Sequence, residues 1–278
     1  EKPKKSRNKT TKNFNKMRKY FVFLLLSCFA ISCTQQENIN DLIKKAEQGD
    51  VEAQFNLGYY YHSGEGVEQS EKKALYWWQK AAKQGHANSQ YNLGVNYGKG
   101  YGVEQSYKKA IYWWQKAAEQ GHSEAQFNLG VVHEKGYGVE QSYEKAIHWY
   151  TKAVEQGSVR AQNNLGASYY NGYGVEQSYP HAVYWFTKAA EQGFTESQYN
   201  LGIAYEKGYG VEQSYEKAVY WWQKAAEQGH AEAQYNLGYC YYNGKGIELS
   251  KSKATYWFIK ACENSNDKAC YALNKIMK

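Results

Sequence analysis

A Leu-Gly pair returns every 36 residues along this chain: Leu57-Gly58, Leu93-Gly94, Leu129-Gly130, Leu165-Gly166, Leu201-Gly202 and Leu237-Gly238. Leu273 stands one further period on, with Asn274 in place of the glycine. A fixed period of this length restricts the chain to a linear array. Each unit is one supersecondary motif that buries its apolar face only against its neighbours.

Residues 50–85 serve as the type unit. Val51 to Ser63 reads as a first helix, because Ala53, Leu57 and Tyr61 fall four apart on one face, flanked by Gln54 and Tyr60. Gly64-Glu65-Gly66 ends it, and Val67 is expected to turn back inward. Ser70 is placed to cap a second helix, Glu71 to Gln84, which carries Ala74, Trp77, Trp78, Ala81 and Ala82 on one face and stops at Gly85. The unit is therefore an antiparallel helical hairpin. Small residues (Ala53, Gly58, Ala74, Ala81, Ala82) let helix axes approach closely, near the lower end of the ~8–10 Å packing range. Trp77 is expected to fill the remaining space. Its equivalents are Trp113, Trp149, Trp185, Trp221 and Trp257, and each buried indole removes roughly 150–250 Å² from water.

The pattern Ala-x-x-x-Leu-Gly, then Gly-x-Gly-Val, then Lys-Ala-x-x-Trp-aromatic-x-Lys-Ala-Ala-x-x-Gly resembles the Sel-one-like repeat (SLR), a relative of the tetratricopeptide repeat. The resemblance runs from about Asp41 to Lys278, with six copies in register. It implies an all-α fold, a right-handed α-solenoid of antiparallel helix pairs. It also implies a non-enzymatic adaptor that holds protein complexes together, and many bacterial members of this family act in the envelope or at host contacts.

The array is expected to occupy 41–278, with a half-repeat at 41–49 capped by Asn40 or Asp41, six repeats over 50–265 and a capping half-repeat at 266–278. Residues 1–16 are basic and carry no core pattern. They are either an over-extended reading frame ahead of Met17 or a disordered basic tail. From Met17 an export signal is expected over 17–32: Arg18 and Lys19 form a positive segment, and Tyr20 to Ala30 is apolar but too short to span a bilayer. Ala30-Ile31-Ser32-Cys33 resembles a lipobox, which implies lipidation of Cys33 and a tether over 33–40. An ordinary signal cut nearby, releasing a soluble exported protein, is the alternative. Thr34, where inner-membrane lipoproteins carry Asp, points by analogy to the outer membrane. Several acyl chains on one Cys would anchor the protein without a transmembrane helix.

Charge argues against nucleic acid as a partner. Nine of the 34 Lys and Arg and one of the 27 acids lie in residues 1–19, which leaves 25 bases against 26 acids in the rest of the chain. Of the five cysteines, Cys28 lies in the export signal and Cys33 is the lipid site. Cys262 ends a second helix and Cys270 lies in the next first helix, across a turn where Cα atoms fall within the ~4.4–6.8 Å that a disulfide requires. The same spacing matches the helix-linking disulfide of the Helicobacter cysteine-rich proteins, relatives of the SLR family, and an exported chain would form it. Cys240 is left over as a buried free thiol.

Two residue patterns in the chain resemble reactive sites. Ser-x-x-Lys occurs at Ser70/Lys73, Ser106/Lys109, Ser142/Lys145, Ser214/Lys217 and Ser250/Lys253, the spacing of the penicillin-recognising nucleophile. Some Helicobacter relatives have been described as penicillin-binding or β-lactamase-like, so a β-lactam-binding enzyme is kept as an alternative. The companion Ser-Asp-Asn and Lys-Thr-Gly motifs are absent, however, and a capping role explains each Ser. His86, His122 and His230 share one turn position a full repeat apart, too far to share a metal at ~2.0–2.1 Å per nitrogen, and are read as solvent-facing. No catalytic residue, metal site or cofactor is assigned.

A binding surface is expected where first helices line the concave wall. Residues two positions either side of the core Leu point away from it. They form one row of Phe55, Tyr91, Phe127, Asn163, Tyr199 and Tyr235, and another of Tyr59, Val95, Val131, Ala167, Ile203 and Tyr239. The aromatic members, Phe55, Tyr59, Tyr91, Phe127, Tyr199, Tyr235 and Tyr239, are the candidate contacts with a partner protein or peptide; the alternative is that they pack between neighbouring first helices. Tyr76, Tyr112, His148, Tyr184, Tyr220 and Tyr256 form a row on the second helices, and Tyr101, Tyr137, Tyr173 and Tyr209 sit between the paired glycines. Such a neutral, Tyr-rich surface also suits peptidoglycan or another glycan, the second alternative for function.

Overall fold

A computed structural model describes residues 39–276, and every regular element among them is an α-helix. In chain order these are α1 (39–47), α2 (Val51–Ser63), α3 (Glu71–Lys83), α4 (Ala87–Lys99), α5 (Tyr107–Glu119), α6 (Ser123–Lys135), α7 (Tyr143–Glu155), α8 (Val159–Asn171), α9 (Tyr179–Glu191), α10 (Thr195–Lys207), α11 (Tyr215–Glu227), α12 (Ala231–Asn243), α13 (Lys251–Glu263) and α14 (Asp267–Ile276). They form two compact units, one ending at Gln105 and the other beginning at Ser106. The export signal, the lipobox and Cys33 lie outside the described residues. Residues 39–41 are already helical, so neither Asn40 nor Asp41 is the cap of α1.

Within each unit, from α2 onward, a helix packs on the one that follows it. In the first unit α2 pairs with α3 and α3 with α4. In the second, α5 through α14 continue the same nearest-neighbour series. The first helix of each pair ends at a left-handed glycine, for example Gly136 at φ 72° and Gly208 at φ 72°. The second helix starts on a Ser whose side chain accepts from the backbone amide three residues on, as Ser142 does from Lys145 N (3.3 Å) and Ser214 from Lys217 N (3.2 Å). Ser178 makes no such bond, and Pro180 occupies the first turn there. Pro costs little at that place because its missing N–H would have had no helical partner.

The buried ring of each repeat is not the one expected. Trp77 is buried, but Trp113, Trp149, Trp185, Trp221 and Trp257 are half-buried. The position one residue further on holds the centre of the core, since Trp78, Trp114, Tyr150, Phe186, Trp222 and Phe258 are all buried, while Trp185, Trp221 and Trp257 pack against its edge. The Leu-Gly pair explains the difference. A Cβ added at Gly58 would lie 2.5 Å from Trp78 Cδ1, and one at Gly166 2.6 Å from Phe186 Cδ1. The missing side chain is the socket that admits the ring, with the fully buried Leu beside it. Where the ring is Tyr150, its hydroxyl donates to Glu134 Oε2 at 2.6 Å, which meets the need of a polar group in that site.

A second buried ladder is polar. Gln54, Gln90, Gln126, Gln162, Gln198 and Gln234 are all buried. In five of them Nε2 donates to a carbonyl at the C-terminus of the preceding second helix: Ala46, Ala82, Ala118, Ala190 and Ala226, at 3.0–3.2 Å. Helix C-termini leave carbonyls without an intrahelical donor, so each glutamine closes one repeat onto the next. The acceptor side is used as well: Gln228 Nε2 donates to Gln198 Oε1 (2.8 Å) and Asn264 Nδ2 to Gln234 Oε1 (2.9 Å). Gln234→Leu should therefore lower stability by about 1.5 kcal/mol, through loss of the hydrogen bonds to the Ala226 carbonyl and from the Asn264 amide. A urea titration would read this as a lower midpoint at unchanged slope.

Candidate functional site

The exposed face of the first helices is narrower than the two expected rows. Phe127 is only 4% exposed, and packs on the Tyr150 ring and under the Arg160 guanidinium, 4.1 Å from its centroid. It does not serve as a surface contact. Phe55, Tyr91, Tyr199 and Tyr235 are half-buried. Phe55 lies 4.6 Å from the His86 ring and Tyr199 stacks on His230 at 4.4 Å. A first helix has a neighbouring first helix beside it, so the side turned from the core is packed laterally rather than left open. Tyr59 and Tyr239, from the other row, are 52% and 41% exposed.

Between successive first helices a cleft recurs at the same positions of the repeat. In the first unit it lies between α2 and α4, about 310 Å³, walled by Tyr59, His62, Asn92 and Val95 over the Trp78 ring. In the second unit, Ala167, Tyr170, Asn200 and Ile203 surround Phe186 in a cleft of about 210 Å³ between α8 and α10. The third, between α12 and α14, has Tyr239 and Tyr242 over Phe258 and reaches about 570 Å³. The side-chain amides of Asn92 and Asn200 make no hydrogen bond to any described residue. These clefts were not legible in the sequence, because their floor is the ring one position beyond the expected tryptophan.

The inter-repeat histidines are helix caps, not solvent-facing turn residues. His122 Nδ1 accepts from Ala125 N (3.3 Å), His230 Nδ1 from Ala233 N (3.3 Å) and His86 Nδ1 from Ser89 N (3.2 Å). The other ring nitrogen faces a carboxylate of the preceding repeat: His86 Nε2 is 3.4 Å from Glu52 and His230 Nε2 3.3 Å from Glu196. Each of these rings therefore spans two repeats, with Nδ1 on a backbone amide of its own helix and Nε2 toward the preceding repeat.

The six repeats match one family model, the Sel1 repeat, at residues 51–86, 87–122, 123–158, 159–194, 195–230 and 231–266. The chain belongs to the Sel1 repeat family. It is similar to c5321, a protective antigen of uropathogenic Escherichia coli strains with an SLR fold, at 36% identity and TM-score 0.83. That match covers 86% of this chain and 51% of c5321. A Sel1 repeat protein from Oxalobacter formigenes is 34% identical, with TM-score 0.74, over 81% of this chain and 90% of that one. The Sel1-repeat-containing protein YbeQ of E. coli K12 is 38% identical over 50 residues, which is 18% of this chain and 15% of YbeQ. This chain thus matches about half of c5321 and a small part of YbeQ. Sel1 repeat proteins are in general protein-interaction scaffolds rather than enzymes.

Within this Sel1 array, the serines of Ser-x-x-Lys receive backbone amides. The lysine ammonium groups of Lys73, Lys217 and Lys253 sit 5.0, 5.3 and 5.3 Å from the Tyr61, Tyr205 and Tyr241 rings, a cation–π placement. The tyrosines between the glycines stack on the preceding repeat: Tyr137 on Tyr107 (5.0 Å), Tyr173 on Tyr143 (4.9 Å) and Tyr209 on Tyr179 (4.7 Å). Their rings clamp repeats together, and those of Tyr137 and Tyr173 remain 45% and 49% exposed. Tyr76, Tyr112, Tyr184, Tyr220 and Tyr256 are about half exposed, each edge-on to the tryptophan that follows it. Cys262 and Cys270 form a disulfide, with Cα atoms 4.9 Å apart. Cys240 is a free buried thiol, and burial, then Glu206, push it up to about 12, so it stays protonated and unreactive.

A pH dependence follows from the histidine caps. Burial holds His122 below the ordinary value of 6.5, and likewise His133, where burial acts first and Lys145 adds to it. The folded state therefore prefers the neutral ring. The stability this contributes is fully present above pH 6.5 and is lost as pH falls from there through the folded-state pKa values, while the unfolded chain takes up protons that the native rings resist. Protonation of His122 also removes the lone pair that caps α6. His122→Ser, which copies the cap that Ser158 provides for α8, should retain the cap and reduce the drop in melting temperature between pH 7.5 and pH 5.

Proposed function

We propose that this Sel1 repeat protein is an exported, lipid-anchored scaffold that holds a partner protein by taking an extended segment of it along the first-helix face. One observation carries this reading. A cleft recurs at one register of the repeat, and in the α2–α4 and α8–α10 clefts it places an unpartnered Asn amide beside an aromatic floor. Asn offers two donors and one acceptor, the complement of a peptide's C=O and N–H groups. The cleft beside it takes a side chain. Tyr59 and Tyr239 on the cleft walls add contact area at low entropic cost.

Envelope anchoring is supported by the export pattern from Met17 and by the lipobox ending at Cys33, with Thr34 favouring the outer membrane. The similar protein c5321 is a protective antigen. Crosslinked capture from intact cells tests the whole reading, comparing the parent with a Tyr59→Ala, Asn92→Ala, Asn200→Ala, Tyr239→Ala variant. A small set of envelope or host proteins held by the parent and lost by the variant is the expected result. Equal capture by both would remove the clefts as the site. Retention of both forms on purified sacculi, with no protein captured, would replace the adaptor by a glycan-binding role. Radiolabelled palmitate on the parent and not on Cys33→Ser tests the anchor.

A further inference from the structure

The cleft between α12 and α14 departs from its counterparts in size and in charge, and in so regular a chain a departure is informative. It is about 570 Å³, against 210 and 310 Å³ for the other two. Lys268 stands where the preceding repeats of the second unit have Glu232, Glu196, Arg160 and Glu124. Lys275 stands at the position of Tyr239, Ile203, Ala167 and Val131, and Tyr242 at that of Glu206, Tyr170 and Glu134. Acids have been exchanged for bases and aromatic rings. Tyr239, Tyr242 and Tyr271 are 41%, 41% and 63% exposed around the Phe258 floor. Lys268 and Lys275 both line the cleft, and neither has a carboxylate within ion-pair distance among the described residues. Lys275 Nζ lies 4.9 Å from the Tyr271 ring, and a third ammonium, that of Lys245, lies 5.3 Å from the Tyr239 ring. Asp267 is the one acid on the lining.

We infer that this cleft is an anchor site for an acidic peptide segment whose central bulky apolar side chain enters the aromatic pocket, with carboxylates two residues to either side. The inference rests on the scaffold reading above and narrows its ligand. Lys268 and Lys275 are two helical turns apart on one face of α14, about 10.5 Å along the axis. In an extended segment, residues i−2, i and i+2 point the same way and span about 13 Å. The two flexible ammonium groups cover that difference. Acids at i±1 would point away from the protein. A second copy of this chain is the competing occupant.

The test is a fluorescence anisotropy titration of the chain with three labelled, amidated heptapeptides built on a glycine frame: Asp-x-Phe-x-Glu, Lys-x-Phe-x-Lys and Asp-x-Gly-x-Glu. The acidic Phe peptide should bind at least tenfold more tightly than either control. Tyr271→Ala should weaken it about tenfold, the Lys268→Glu/Lys275→Glu pair should reverse the preference toward the Lys peptide, and Ile259→Ala, exposed on α13 and outside every cleft lining, should leave it unchanged. All these substitutions lie at exposed or half-buried positions, and circular dichroism checks the fold. Equal affinity for the three peptides, or a preference that survives charge reversal, would overturn the inference. So would a concentration-dependent doubling of mass abolished by charge reversal, since the site would then belong to a second copy. If capture in cells still depends on Asn92 and Asn200 while the peptides show no preference, this inference falls and the scaffold reading stands.

Discussion

Replacing Trp222 with Ala should destabilise the second unit by about 4 kcal/mol, whereas Trp221→Ala should cost about 1 kcal/mol. The two indoles are adjacent in sequence and equally apolar, so composition and hydrophobic patterning do not separate them. Their surroundings do. Trp222 is 1% exposed in a core with Ala218, Leu237 and Phe258, while Trp221 is half-buried at the edge of the Phe186 and Leu201 core and meets Tyr220 edge to face. Removing Trp222 leaves a cavity that helices fixed on both sides fill only in part. Trp222→Phe should cost far less, within about 1 kcal/mol, because Phe186 and Phe258 already occupy the equivalent positions. The buried Trp222 Nε1 also has no hydrogen-bond partner to lose. Repeat arrays are held by nearest-neighbour interfaces, so hydrogen exchange should accelerate in α10, α11 and α12 and stay unchanged in α2 and α3. Equal losses for Trp221→Ala and Trp222→Ala would show that the assignment of the core ring is mistaken.

The 36-residue period and the helix starts and stops were legible because they rest on local chemistry. Ser142 and Ser214 cap, Gly136 and Gly208 take a left-handed φ, and Leu201 recurs at a fixed spacing. What was not legible depends on the partner helix. Trp221 and Trp222 are both on the apolar side of α11, and only the socket at Gly202 decides which is engulfed. Phe127 lies opposite the core Leu on its own helix, yet Tyr150 and Arg160 cover it. His122 looked like a turn residue because histidine is an uncommon cap. Its role shows only once the ring is seen against the Ala125 amide. The candidate site suffered most, since a groove between successive first helices belongs to no single segment. Tyr59 and Tyr239 keep their exposure, and the half-buried first row has become part of the packing.

Gly202→Val should cost about 3 kcal/mol, although in an exposed helix the loss of glycine would be a gain. A mid-helix Gly is less favourable than Ala by about 1 kcal/mol, so this chain accepts that cost in six successive first helices. The reason is steric. A Cβ built on Gly202 collides with Trp222 Cδ1, Nε1 and Cε2, and one on Gly130 with the Tyr150 ring. The indole cannot yield, because it is buried on its other sides and its ring is rigid. Either α10 and α11 separate or the ring leaves its site, and both outcomes expose the Leu201 and Leu237 faces that the Leu-Gly repeat exists to bury. Trp222→Ala should restore part of the stability lost in Gly202→Val, because the added methyl groups then occupy the vacated volume. A double-mutant cycle in urea measures this as a coupling of the two sites. Additive losses would mean that ring and glycine do not meet, and the physical account of the 36-residue signature would have to be abandoned.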